Sequence, residues 1–167
     1  MRVGGAKRDQ SGLGDEAQRR APRLANSDLD YGLLKDVVGF PIKVVWILGY
    51  TLLTRTIDDP PVTPQRFSML ELIGCNPGAQ QTQLGAALGL SRSATTITID
   101  FWQDRGCVER RSVPGNRRIY GIYLTEAGRE TWAALRQKVR RSDAELTKNL
   151  TPEEVGQLRG LLAKIHQ

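Results

Sequence analysis

Apolar positions are nearly continuous over 33–53: Val37, Val38, Phe40, Ile42, Val44, Val45, Trp46, Ile47, Leu48, Leu52 and Leu53, with Lys43 interrupting the run and Gly49 weakening it. The pattern predicts a helix that is apolar almost all round. Its uninterrupted part, 44–53, is about half the ~20 residues that a membrane span needs, so it is not a transmembrane helix. A helix apolar on every face has to be covered on every face, and in a chain of 167 residues a second subunit is the expected cover.

Pro60 and Pro61 break this run, and Thr63-Pro64-Gln65 starts a new helix with Thr63 as N-cap and Pro64 at the first helical position. Phe67, Leu70 and Ile73, with Met69 beside them, give it a buried face, and Asn76-Pro77-Gly78 ends it. Two short helical patterns follow. The first, over 82–88, carries the stripe Leu84, Ala87, Leu88 and closes on Gly89 and Leu90; Ser91 caps the second, over 92–105. Two helices joined by a tight turn carrying a glycine form a helix-turn-helix layout.

After Gly106 the period changes from helical to alternating. Residues 107–113 and 119–124 read as two strands, with Tyr120, Ile122 and Leu124 on the inner face and Tyr123 outward, joined by Pro114-Gly115-Asn116-Arg117-Arg118. Thr125 then caps a long helix to about 149, its face set by Trp132, Leu135, Val139 and Leu146. Leu150-Thr151-Pro152-Glu153-Glu154 opens the last one, with Val155, Leu158, Leu162 and Ile165 as its stripe. Trp102 is placed in the core by its spacing from Thr98 and Ile99.

Helix, helix, Ser-capped helix and a hairpin tipped with arginines define a winged helix-turn-helix: a mainly α fold with a small β-hairpin wing (α+β), flanked by a helical dimerisation region. The organisation expected is a disordered basic tail over 1–27, an N-terminal dimerisation helix over 28–60, the DNA-binding domain over 61–125 and C-terminal helices completing the dimerisation region over 126–167. The capped helix suits the major groove, whose width accommodates one α-helix. Its first turn offers Arg92, Ser93 and Thr96; Arg117 and Arg118 at the hairpin tip, with Arg110 and Arg111 on the preceding strand, supply cations for phosphate and for the minor groove.

Composition agrees with a polyanionic partner: 24 Lys+Arg against 18 Asp+Glu give a formal net charge of +6. Residues 1–27 include Arg19-Arg20 but lack the apolar core of a signal peptide; the alternative to a solvated tail is an arm that tracks phosphates. The two cysteines, Cys75 and Cys107, read as small buried hydrophobes rather than a disulfide, and with one histidine, His166, they assemble no zinc set. No metal or cofactor is expected. An enzyme is disfavoured because there is neither a glycine-rich phosphate loop nor a nucleophile elbow.

Gln83-Leu84-Gly85-Ala86-Ala87-Leu88-Gly89-Leu90-Ser91-Arg92-Ser93, then Asp104-Arg105-Gly106-Cys107-Val108-Glu109-Arg110-Arg111, Asn116-Arg117-Arg118 and Leu124-Thr125-Glu126-Ala127-Gly128-Arg129 stand in the order of the MarR-family pattern, which the chain closely resembles. Thr63-Pro64-Gln65-Arg66-Phe67 upstream and the 150–154 segment downstream extend the resemblance over about 29–165. It implies a cytoplasmic homodimer on a pseudo-palindromic operator, usually a repressor released by a small molecule. The family's wing arginine falls on Arg118, and its recognition-helix polar contacts fall on Arg92, Ser93 and Thr96. Asn116 stands where the family usually has Asp, and Ile97 and Phe101 where members often place Arg. Ile97 is read as a packing residue, with contact to a thymine methyl as the alternative.

In such regulators the effector usually binds between the dimerisation helices and the DNA-reading block. By that resemblance the candidates here are Tyr31, Phe40, Lys43, Trp46, Tyr50, Arg66, Met69 and Trp132, which would equally serve as core and dimer interface. Aromatics with a cation suit an aromatic carboxylate or its CoA thioester. Two other readings stay open: a thiol-redox-responsive regulator of the same family, and a winged-helix module that binds protein rather than DNA.

Overall fold

Prolines and polar caps decide where the helices start. The computed structural model describes residues 28–113 and 116–165, except the side chains at 113 and 116–119; the basic tail read over 1–27 and His166 lie outside the described residues. Two compact units are distinguished, Met1–Thr51 and Leu52–Gln167, and the first long helix crosses from one into the other.

In the first unit a 3-10 turn, Gly32–Lys35, precedes α1, Gly39–Ile57. The helix expected over 33–53 therefore starts later and runs further. Pro41 is the reason: it has no N–H and its ring clashes with a preceding turn, so it fits only the first turn of a helix. The Thr51 and Thr56 hydroxyls donate to carbonyls one turn back, at 2.9 and 2.8 Å. Aromatic rings pair within the unit, Tyr31 with Phe40 and Trp46 with Tyr50, both at 5.7 Å between centroids.

The second unit holds α2 (Pro64–Cys75), β1 (Ala79–Gln80), α3 (Gln81–Ala87), α4 (Arg92–Asp104), β2 (Val108–Val113), β3 (Asn116–Leu124), α5 (Glu126–Leu146) and α6 (Pro152–Ile165). The Thr63, Ser91 and Thr125 hydroxyls accept from the third backbone N–H beyond each, at 3.3, 3.2 and 2.9 Å. Thr151 and Glu154 form the reciprocal capping pair at the start of α6. The sheet is antiparallel in the order β1-β3-β2, with Ala79 opposite Ile122 and Val108 opposite Leu124. The two-residue strand β1 is too short to show any alternation, and the sequence reading missed it.

Met69, Leu70, Ile73, Ile99 and Trp102 are wholly buried and form one cluster with Ile57, Val62, Leu84, Val108 and Ile122. Each fully buried aliphatic side chain of this size contributes about 1.5–3 kcal/mol. Trp102 is in the core as its spacing required. Met69 lies at the centre of the α2 face rather than beside it, whereas Ala87 is exposed on α3.

Three further expectations are corrected. Asn116, Arg117 and Arg118 belong to β3 rather than to the connecting turn. Tyr120 is 52% exposed, because it pairs with Ser112 at the irregularity between Ser112 and Val113, beyond the stretch of hairpin that covers the core. Cys75 is exposed at the end of α2, and only Cys107 is buried.

The helix-turn-helix depends on two glycines. Gly89 (φ +63°) takes the left-handed position after α3, and the Gly89 and Leu90 N–H groups donate to Ala86 and Gly85 carbonyls at 3.1 and 2.9 Å, the paired bonds of a Schellman end. Gly85 is where α3 meets α4, and a Cβ there would collide with Oγ1 of Thr95. In Gly85→Ala the overpacking penalty of about 1–3 kcal/mol outweighs the ~1 kcal/mol gain in helix propensity. A lower urea midpoint at unchanged m-value is expected, recovered in part by adding Thr95→Ala. A Gly85→Ala protein as stable as the parent would show that the two helices do not meet there.

Candidate nucleic-acid interface

Only one side of α4 is available to a partner. Thr95, Thr98, Ile99 and Trp102 are buried, which turns Ser93, Thr96, Ile97 and Asp100 outward. The buried hydroxyls are satisfied locally: Thr95 and Thr98 donate to the carbonyls of Ser91 and Ala94 at 2.8 and 2.7 Å. The Trp102 indole donates to the Arg66 carbonyl at 2.8 Å, pinning α4 to α2.

On the outward side most polar groups already have partners. Ser93 Oγ lies 3.1 Å from Ser91 Oγ. Thr96 Oγ1 donates to the Arg92 carbonyl at 3.0 Å and accepts from the Gln81 amide on α3. Arg92, exposed in the first turn, forms no side-chain hydrogen bond or ion pair among the described residues. It stands beside an open cleft of ≈ 430 Å³ whose wall includes Gln81, Thr82 and Ala86. Ile97 is 62% exposed, so the packing role expected for it is wrong: at this position of α4 its side chain faces away from the core. Phe101 is half-buried, edge-on to Trp102 at 4.9 Å and flanked by the Arg66 and Arg105 guanidiniums at 3.8 and 4.6 Å from its ring.

The hairpin arginines divide into two groups. Arg110 pairs with Asp100 of α4 at 2.6 Å and with Gln103, at 25% side-chain exposure, which braces the hairpin against α4. Arg111 pairs with Glu109 and lies 4.9 Å from the Tyr123 ring. Arg117 and Arg118 stand on β3 close to the hairpin end, and their side chains are outside the described residues.

A putative transcriptional regulatory protein for the hcr operon of Thauera aromatica is 31% identical over 147 residues, covering 86% of this chain and 89% of that protein. The MarR-family model matches residues 61–119. The chain belongs to the MarR family. It is a transcriptional regulator with a winged helix-turn-helix fold. Among solved structures, the transcriptional repressor CouR bound to a 23-mer DNA duplex superposes with a TM-score of 0.79 at 29% identity, over 84% of this chain and 99% of that one. CouR bound to p-coumaroyl-CoA gives 0.74 at 28% identity over the same shares. A mutant MarR from E. coli complexed with operator DNA gives 0.72 at 28% identity, over 81% of this chain and 99% of that one.

In this MarR-family chain the effector candidates fall in both units. In the first, Tyr31 and Phe40 are half-buried and paired, Lys43 and Tyr50 are exposed, and Trp46 is 66% exposed. In the second, Arg66 is engaged by the Phe101 ring and the Pro61 carbonyl. Met69 has no exposed surface and is a core residue, so it lines no open pocket in this protomer. Trp132 donates to Glu71 at 2.6 Å beneath the Arg136 guanidinium. Desolvation and the adjacent Glu71 carboxylate push the Cys75 thiol above its ordinary range, opposite to what a reactive thiolate needs.

Three hydrogen bonds hold the C-terminal end of α1 and the turn after it within the second unit of this MarR-family fold. Lys138 of α5 donates to the last α1 carbonyl, Ile57, at 2.6 Å, and Arg105, at the C-cap of α4, donates to both Asp59 oxygens at 2.6 and 3.2 Å. The Arg105 hydrogen bonds hold the Asp59 carboxyl below the usual carboxylate range. Such a carboxyl contributes stability above the unfolded-state pKa and loses it as pH falls through the folded value. Both side chains are more than a third exposed, so solvent screening limits the pair to about 0.2–1 kcal/mol. Asp59→Asn should therefore lower the urea midpoint near neutral pH, and the difference from the parent should vanish in acid once Asp59 is protonated. A difference that stays constant from neutral pH into acid would assign it to something other than the charge.

Proposed function

We propose that the protein is a cytoplasmic homodimeric repressor that holds a pseudo-palindromic operator through α4 and the wing and is released by an aromatic acyl-CoA thioester. The observation that carries this reading is the pair of CouR structures, one with a DNA duplex and one with p-coumaroyl-CoA, both matching 84% of this chain. Residues 61–125 are assigned to DNA binding, and 28–60 with 126–167 to dimerisation.

The dimer assignment rests on surfaces that are apolar and exposed in the single chain. Ile42, Val45 and Trp46 of α1 and Leu158, Leu161, Leu162 and Ile165 of α6 have no business in water as contiguous faces. Two copies related by a two-fold axis would set their α4 helices about 34–36 Å apart, one turn of DNA. Arg92 and Ser93 enter the major groove from the first turn of α4, and Thr96 follows them, oriented by Gln81. Arg117 and Arg118 reach the flanking minor groove. Arg110 and Arg111 act mainly through the ion pairs that brace the wing.

For the effector, the first unit by itself offers the Trp46 and Tyr50 rings together with Lys43, an aromatic face and a cation of the kind that a phenyl ring and a polyanionic CoA require. A small molecule can displace DNA only by as much as it prefers the dimer shape that does not fit the operator. In fluorescence anisotropy with a duplex enriched by the protein, p-coumaroyl-CoA should release the DNA while free CoA and p-coumarate, each lacking half of the ligand, should do so poorly. Equal indifference to all three would remove the thioester reading.

The two groups of arginines separate in a salt titration. Arg118→Ala should weaken binding and reduce the slope of log affinity against log salt by about one unit, the loss of one phosphate-like contact. Arg110→Ala should leave the slope unchanged and lower the melting temperature. A slope unaffected by Arg118→Ala would show that the wing arginine does not neutralise the duplex.

A further inference from the structure

Between Leu52 and Thr147, the large hydrophobic side chains left exposed among the described residues are Ile97 and Tyr120. Among its described residues the DNA-reading block thus presents one large aliphatic side chain to solvent, and it stands in the middle of α4 on the side opposite Thr95, Ile99 and Trp102. An isolated exposed isoleucine is unremarkable on an ordinary surface. Here its neighbours change the weight of that reading.

One turn before it, Ser93 shares a hydrogen bond with Ser91; beside it, the Thr96 hydroxyl is engaged by Arg92 and Gln81; one turn after it, Asp100 is held by Arg110. The centre of the outward side therefore offers few uncommitted hydrogen-bonding groups, and its free contact surface is the Ile97 side chain. In the major groove the one apolar feature of a base edge is the C5-methyl of thymine, and aliphatic side chains read it by contact. From this geometry we infer that Ile97 is a specificity-determining residue that packs on a thymine 5-methyl group in each operator half-site. The inference rests on the groove-reading function proposed for α4.

The test uses the full-length protein and a duplex that it enriches from a random library. Each thymine of that duplex is replaced in turn, symmetrically in both half-sites, by deoxyuridine, which removes the methyl group and leaves every hydrogen-bonding edge unchanged. For the parent protein one such position should lose about fourfold in affinity per half-site, the fold-change for burying one methyl group. Ile97→Ala should bind the thymine and deoxyuridine duplexes equally well, and Ile97→Val should fall between. Because the side chain is exposed, both variants should melt with the parent, which separates lost reading from lost folding. If deoxyuridine is tolerated everywhere by the parent, or is penalised as strongly in Ile97→Ala, the inference is overturned while operator binding stands. If no duplex is enriched over random DNA, the groove-reading function itself fails and the inference falls with it.

Discussion

The Trp102 indole sits without solvent exposure inside the second unit, and its one donor reaches the Arg66 carbonyl of α2. A buried indole is costly to rotate, because turning it would strand that donor and open a void among Met69, Leu70, Ile73 and Ile99. The rotational setting of α4 is thereby fixed, and with it the choice of residues that face outward. Gly85 permits α3 to approach the same helix at Thr95, and the Gln81 amide on α3 then reaches Thr96. Which side chains α4 turns outward is in this sense decided by the core: moving Ser93 or Ile97 on the surface would require repacking Trp102.

Charge tells a complementary story. The excess of basic residues suggests a uniform attraction to DNA, yet many arginines are engaged inside the protomer. Arg66 and Arg105 flank Phe101, Arg105 also clamps Asp59, and Arg110 joins the hairpin to α4. A guanidinium already paired with a carboxylate gives little counterion release, since its charge is partly neutralised before DNA arrives. Net charge therefore overstates the number of cations free to meet phosphate.

The helices and the wing could be read from the chain because their signals are local. Thr63, Ser91, Thr125 and Thr151 each cap the helix they precede, and Gly89 needs a left-handed conformation that neighbouring residues already suggest. What escaped the sequence depends on partners distant along the chain. Strand β1 exists only because Ala79 and Gln80 pair with Ile122 and Gly121. The start of α1 is hidden by a run of apolar residues that masks the effect of Pro41, and Tyr120 reads as a core residue because alternation does not reveal where a hairpin outruns what it covers. Ile97 is the most instructive case: its hydrophobicity argued for packing, and only the position of Trp102 shows that this side of α4 points away from the core.

The same distinction bears on how an effector could act. Helix α1 carries an apolar surface in its first part, and its last residues, from Leu52 onward, belong to the compact unit that holds α4. Ile57 is buried in the core there, its carbonyl is held by Lys138, and two residues later Asp59 is held by Arg105 at the end of α4. Within the second unit, any shift of the last turn of α1 works against these anchors. A displacement that breaks none of them has to carry the DNA-reading unit along as a body, because a close-packed core does not deform continuously. On the proposed release mechanism, the effector therefore has no need to distort α4 or disturb its contacts with Trp102. It has only to favour a different spacing of two intact reading heads, since the packing around Trp102 keeps the outward side of each α4 the same.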